Sequence, residues 1–107
     1  MKTALLNTSI ITTDGSFTYR TISLVEAREI AGNGSNVVSH VGHESTAQIM
    51  TELLGFPVAM SRIPFSHARL QIALVLKLNG RPPEGRILTR DEIDSIGYTW
   101  GVMQRID

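Results

Sequence analysis

The chain has 107 residues, with ten Lys and Arg against ten Asp and Glu and so no formal net charge. That length suits one domain over residues 1–107, and 42% apolar with 19% charged residues excludes a disordered or fibrous chain. The absence of cysteine excludes disulfides, thiolate metal sites and cysteine nucleophiles, and makes the cytoplasm the expected compartment.

Residues 3–6 open the chain as a strand, followed by the polar cluster Asn7, Thr8 and Ser9. Such residues bind phosphate or ribose hydroxyls, or merely cap a turn. After the turn pair Asp14-Gly15, the alternation of Phe17, Tyr19 and Thr21 with their neighbours predicts a second strand over 16–22. Ser23 with Glu26 three residues on is a capping box, Leu24, Ala27 and Ile30 supply an apolar stripe, and Gly32-Asn33-Gly34 ends that helix. Residues 36–41 are a short strand broken by Gly42. From 44 to 54, Ala47, Ile49, Met50, Leu53 and Leu54 repeat at helical spacing, with Gly55 at the left-handed C-terminal position.

Residues 56–60 suggest another short strand. Residues 70–78, nearly all apolar, predict a central strand buried on both faces. Its core, Ile72 to Leu76, is the longest apolar run and falls far short of the roughly 20 residues of a membrane helix; no basic segment with a long apolar stretch opens the chain. A soluble, unexported protein without membrane partners is expected. Residues 79–85, with Gly80, Pro82, Pro83 and Gly85, form a loop. Thr89 and Glu92 make a second capping box for a short helix that stops at Gly97, and residues 98–106 close as a strand. Strands alternating with helices predict an α/β fold, a single domain with a mixed central sheet of about five strands flanked by helices.

Zero net charge hides an uneven distribution. From Pro57 to Arg90 the bases Arg62, Arg69, Lys77, Arg81, Arg86 and Arg90 face one acid, Glu84, so this segment carries plus five and the remainder minus five. Five of the six bases are arginines, whose planar forks suit phosphate or carboxylate. Solvated side chains on strands and turns would look the same. The balance argues against a long DNA or RNA partner but allows a local anion site.

The run Gly42-His43-Glu44-Ser45-Thr46 lies between a predicted strand and helix. Gly42 permits close backbone approach, and the free amides of the helix start favour an anion. A histidine there serves as general acid or base, unless it simply caps the helix or pairs with Glu44. His40, His43 and Glu44 make a poor metal site, because the glycine break removes any guarantee of one face. His67 reads as a surface residue. In Arg81-Pro82-Pro83-Glu84-Gly85 two prolines hold Arg81 and Glu84 with little freedom, which suits preorganised catalysis or a rigid surface turn. Tyr98 and Trp100 suit base stacking or core packing, the latter expected for Trp100.

Taken together, Leu5-Leu6-Asn7-Thr8-Ser9, Gly42-His43-Glu44-Ser45-Thr46-Ala47-Gln48, Arg62-Ile63 and Arg81-Pro82-Pro83-Glu84-Gly85 before Ile87-Leu88-Thr89 resemble the type III anti-CRISPR ring nucleases, small proteins of viruses, phages and mobile elements. The resemblance spans nearly the whole chain. It implies a homodimer that binds cyclic tetra-adenylate across its two-fold axis and acts in the cytoplasm of the host. It also implies metal-independent and cofactor-free opening of the ring to linear di-adenylates with 2',3'-cyclic phosphate ends. In that scheme His43 is the general acid, Glu84 a base or an orienter of His43, and Arg81 offsets charge on the phosphorane. Arg62 holds a ring phosphate, and Gly42, Asn7, Thr8 and Ser9 contact the ligand. The alternatives are a module that sequesters the cyclic nucleotide without cutting it, and a protein acting through protein contacts alone.

Overall fold

A computed structural model describes residues 1–83 and 85–107. Strand β1 spans Thr3–Leu6, β2 Phe17–Ile22, helix α1 Leu24–Ala31, β3 Val37–Ser39, α2 Glu44–Leu54, β4 Ile72–Leu78, α3 Arg90–Ile96 and β5 Tyr98–Arg105. Among the described residues no helix is long and apolar enough to cross a membrane.

Local chemistry explains most of these bounds. Ser23 Oγ accepts the Glu26 amide at 3.1 Å and starts α1, but Glu26 spends its carboxylate on Arg20 at 3.1 Å. The Thr89 box is reciprocal: the Thr89 hydroxyl accepts the Glu92 amide at 3.2 Å, and Glu92 Oε1 accepts the Thr89 amide at 3.1 Å. Helix α2 stops at Gly55, whose φ of 84° and ψ of 16° are left-handed and whose amide bonds the Thr51 carbonyl at 3.0 Å.

Two expectations fail, each for a local reason. Residues 56–60 form no strand, because the Thr51 hydroxyl takes the Val58 amide at 2.9 Å and Pro57 has no amide to give. The central strand begins at Ile72 rather than Leu70: Leu70 has φ of 67°, and the Gln71 amide closes a turn onto the Ala68 carbonyl at 3.1 Å.

The five strands form one mixed sheet in the order β2-β5-β4-β1-β3, with β1 parallel to β3 and β4 and β5 antiparallel to β2 and β4. The middle position of β4 explains its composition: Ala73, Leu74, Val75 and Leu76 are all fully buried. Leu5, Leu74, Leu76 and Trp100 pack with Ala27, Met50, Leu53 and Ile93, so all three helices cover one face of the sheet. Trp100 is therefore a core residue. On the other face Ala4, Leu6, Ala73, Val75 and Met103 lie under Phe17 and under Phe65 from the coil between α2 and β4.

His67 also belongs to this second layer, which overturns the surface assignment. It is fully buried. Its ring lies 5.2 Å from that of Phe17 and 5.0 Å from that of Phe65, and its Nε2 donates to the Gln71 carbonyl at 2.7 Å. The His67 amide donates to the Thr12 hydroxyl, and the His67 carbonyl accepts from the Thr13 hydroxyl and the Arg105 guanidinium, which ties the coil to the first loop and to the end of β5.

Candidate functional site

Strands β1, β3 and β4 are parallel, so their carboxyl ends lie along one edge, where open α/β sheets place their ligands. From the end of β3 the chain passes through buried Val41 and Gly42 into α2. A cleft of about 730 Å³ opens beside that helix start, within the usual range of ligand pockets. Helix α2 and its N-cap contribute His43, Glu44, Ser45 and Gln48; the coil before β4 contributes Met60 and Arg62; the loop from β4 to α3 contributes Gly85, Arg86 and Ile87.

His43 is the N-cap residue of α2, yet its side chain makes no capping bond, and among the described residues it pairs with neither Glu44 nor any other group. Both structural alternatives for this residue are thus unrealised. The exposed ring lines the cleft beside the uncapped amides of the first turn. Glu44 Oε1 instead lies 3.5 Å from Gln48 Nε2, at the limit of a hydrogen bond.

Arg62 reaches the same cleft. Its Nε donates to the Gly42 carbonyl at 3.3 Å, which fixes the guanidinium over the β3–α2 connection. Gly42 has no left-handed φ, and a Cβ added there would stand 3.7 Å from Arg62 Cγ, an ordinary contact. Among the described residues no atom demands a glycine here. Gly42 lies outside the cleft lining, and the Arg62 side chain covers its backbone on this side.

The remaining expected residues are dispersed. Asn7, Thr8 and Ser9 follow β1 at the carboxyl edge, but none lines the cleft, and Thr8 and Ser9 are solvent-exposed. Arg81 is exposed and also outside the cleft lining. Glu84 lies outside the described residues. Of the basic segment, only Arg62 and Arg86 reach the cleft: Lys77 stands 4.7 Å over the Tyr19 ring, and Arg90 pairs with Asp94 at 3.2 Å.

His40 turns away from His43: its Nδ1 bonds the Ile63 carbonyl at 2.9 Å, and its ring lies 5.0 Å from that of Phe65. Among the described residues no three histidine or carboxylate side chains gather as metal ligands. Sequence reasoning missed Ser45, Gln48 and Arg86 as cleft residues. The i, i+3 spacing of Ser45 and Gln48 in the motif was the available signal for the first two.

The chain matches the model of a family described as STIV B116-like over residues 3–100. It is 31% identical to the uncharacterized protein YddF of Bacillus subtilis strain 168 over 108 residues, covering 100% of both chains. With the uncharacterized protein ORF117 of Acidianus two-tailed virus it shares 29% identity, over 95% of this chain and 92% of that one. Among solved structures, protein B116 of Sulfolobus turreted icosahedral virus superposes with a TM-score of 0.81 over 96% of this chain and 98% of that one, at 18% identity. That likeness shows a shared fold.

Proposed function

The chain belongs to the STIV B116-like family, and from the cleft built on this fold we propose that it is a metal-independent ring nuclease for cyclic tetra-adenylate, able to switch off type III CRISPR signalling. The observation that carries the reading is the placement of His43: a histidine at an uncapped helix start, free of described protein partners, in a cleft shared with Arg62 and Arg86. A structural histidine would spend its ring on the protein, as His40 and His67 do. A ring without described protein partners is free to reach a leaving oxygen, and neighbouring arginines suit the phosphate it departs from.

In the proposed reaction a ribose 2'-hydroxyl attacks the adjacent phosphorus, the bond to the 5'-oxygen breaks, and His43 delivers a proton to that departing oxygen. A 2',3'-cyclic phosphate remains. Arg62 offsets the charge that gathers on the phosphorane oxygens, and the amides at the start of α2 supply further donors. Glu84 is the candidate acceptor of the 2'-hydroxyl proton, and Arg81 a further cation, on the resemblance of their loop motif. Two such cuts release two linear di-adenylates. A ring of four nucleotides exceeds one cleft of about 730 Å³, so the reading includes a symmetric homodimer in which two clefts meet opposite phosphates. The enzyme would act where the messenger is made, in the cytoplasm of the infected or host cell.

Incubation of labelled cyclic tetra-adenylate with the protein in EDTA, followed by chromatography, tests this directly. Linear di-adenylate with cyclic phosphate ends is the expected product. Intact ring that stays bound would replace the nuclease by a sequestering module, and a melting temperature indifferent to the nucleotide would remove both.

A further inference from the structure

Arg86 belongs to no motif of the family resemblance, yet it lines the cleft with His43 and Arg62. Its side chain is 55% exposed, and its Nη2 is bonded to Glu92 Oε2. Glu92 is itself immobilised, because its other oxygen accepts the Thr89 amide at 3.1 Å in the capping box of α3. These bonds hold the Glu92 carboxyl below its ordinary value, the Thr89 backbone amide contributing most and the Arg86 guanidinium next. A capping box normally serves only to start a helix. Here the same carboxylate faces two ways, toward the helix start and toward a cation on the cleft wall.

The arrangement parallels that of Arg62. Each guanidinium has one bond to a fixed acceptor, the Gly42 carbonyl for Arg62 and the Glu92 carboxylate for Arg86. In each case the other N–H groups of the fork bond no described residue. The two come from different segments, the coil before β4 and the loop from β4 to α3, and both line the cleft. An arginine tethered through one nitrogen loses less rotamer freedom on meeting an oxyanion, which is the physical advantage of preorganisation.

Resting on the ring-nuclease reading, we propose that Arg86 is a second phosphate-holding residue of the cyclic tetra-adenylate site and that Glu92 is its positioning residue. Arg86 contributes to ring binding rather than to proton transfer, so its loss raises KM by a larger factor than it lowers the rate at saturating ring.

The test measures equilibrium binding of labelled cyclic tetra-adenylate in EDTA in the His43→Ala background, with ring-opening rates taken on proteins that keep His43. Arg86→Ala should weaken binding by about tenfold or more, as expected for one lost charge-assisted bond, and Arg86→Lys should fall between it and the parent. Glu92→Gln keeps a side chain able to complete the capping box, so the fold survives while the anchoring charge goes. It should weaken binding a few-fold alone and add nothing to Arg86→Ala. If Arg86→Ala binds as tightly as the parent while the His43-containing protein cuts the ring, the Arg86 assignment fails and the nuclease reading stands. A Glu92→Gln effect of the same size with and without Arg86 would reduce Glu92 to a helix cap. Failure of the unmutated protein to bind the ring overturns both proposals together.

Discussion

Helices α3 and α2 begin in opposite ways. Helix α3 starts on Thr89, with a complete reciprocal box, whereas α2 starts on His43 with no side-chain cap at all. Helix α1 lies between them, since Ser23 caps it but Glu26 pairs with Arg20. The longest of the three helices thus has the least satisfied start. Its stability comes from burial of Ala47, Ile49, Met50, Leu53 and Leu54 against the sheet, which leaves its first turn available for a ligand. The contrast separates a helix start closed by its own side chains from one whose first-turn amides no described side chain caps, the one that the proposed function uses for binding.

The largest expected effect breaks the α2 side of this contrast. His43→Ala should lower the single-turnover rate of ring opening by about 10² to 10⁴, as removal of a positioned acid does, while the melting temperature hardly moves. A large drop in melting temperature with full activity would make His43 structural. At the start of α3 the reverse holds: Thr89→Ala should cost about 1–2 kcal/mol in denaturant unfolding. Ser23→Ala should cost less, on the order of 0.5–1 kcal/mol, because only half of its box is formed.

His43→Ser sharpens the comparison further. Supplying α2 with a hydroxyl cap should raise stability by about 0.5–1 kcal/mol while abolishing ring opening, and a destabilised His43→Ser protein would contradict the claim that this cap is vacant for function. The smallest effect is on pH dependence. The Glu92 carboxyl titrates below its ordinary value of 4.5, so its contribution is present above that value and is lost as pH falls through the lowered one. The difference in melting temperature between the unmutated protein and Glu92→Gln should therefore shrink as pH falls from neutral through the lowered value.

Legibility of the sequence followed the range of the interactions involved. The ends of all three helices were readable, because Ser23, Thr89, Gly32, Gly55 and Gly97 act on backbone groups within a few residues of themselves. The false strand at 56–60 arose because nothing local reveals that the Thr51 side chain claims the Val58 amide. His67 was misplaced for the same reason. Its burial depends on Phe17 and Phe65, far apart in the chain but brought over one face of the sheet.

In the candidate site, His43 and Arg62 are legible from motif and charge, whereas nothing in the sequence singles Arg86 out from the other five bases of its segment. Glu92 announced itself as a helix cap, and only folding turned its second oxygen toward Arg86.

What the sequence by itself determined was the three helices, the buried central strand and the histidine between a strand and a helix, since periodicity and capping are short-range. The order β2-β5-β4-β1-β3, the gathering of the helices on one face and the choice of Arg62 and Arg86 from six bases were decided by tertiary structure. Strand pairing and the closure of a cleft join residues separated by tens of positions. No local propensity encodes which of them will meet.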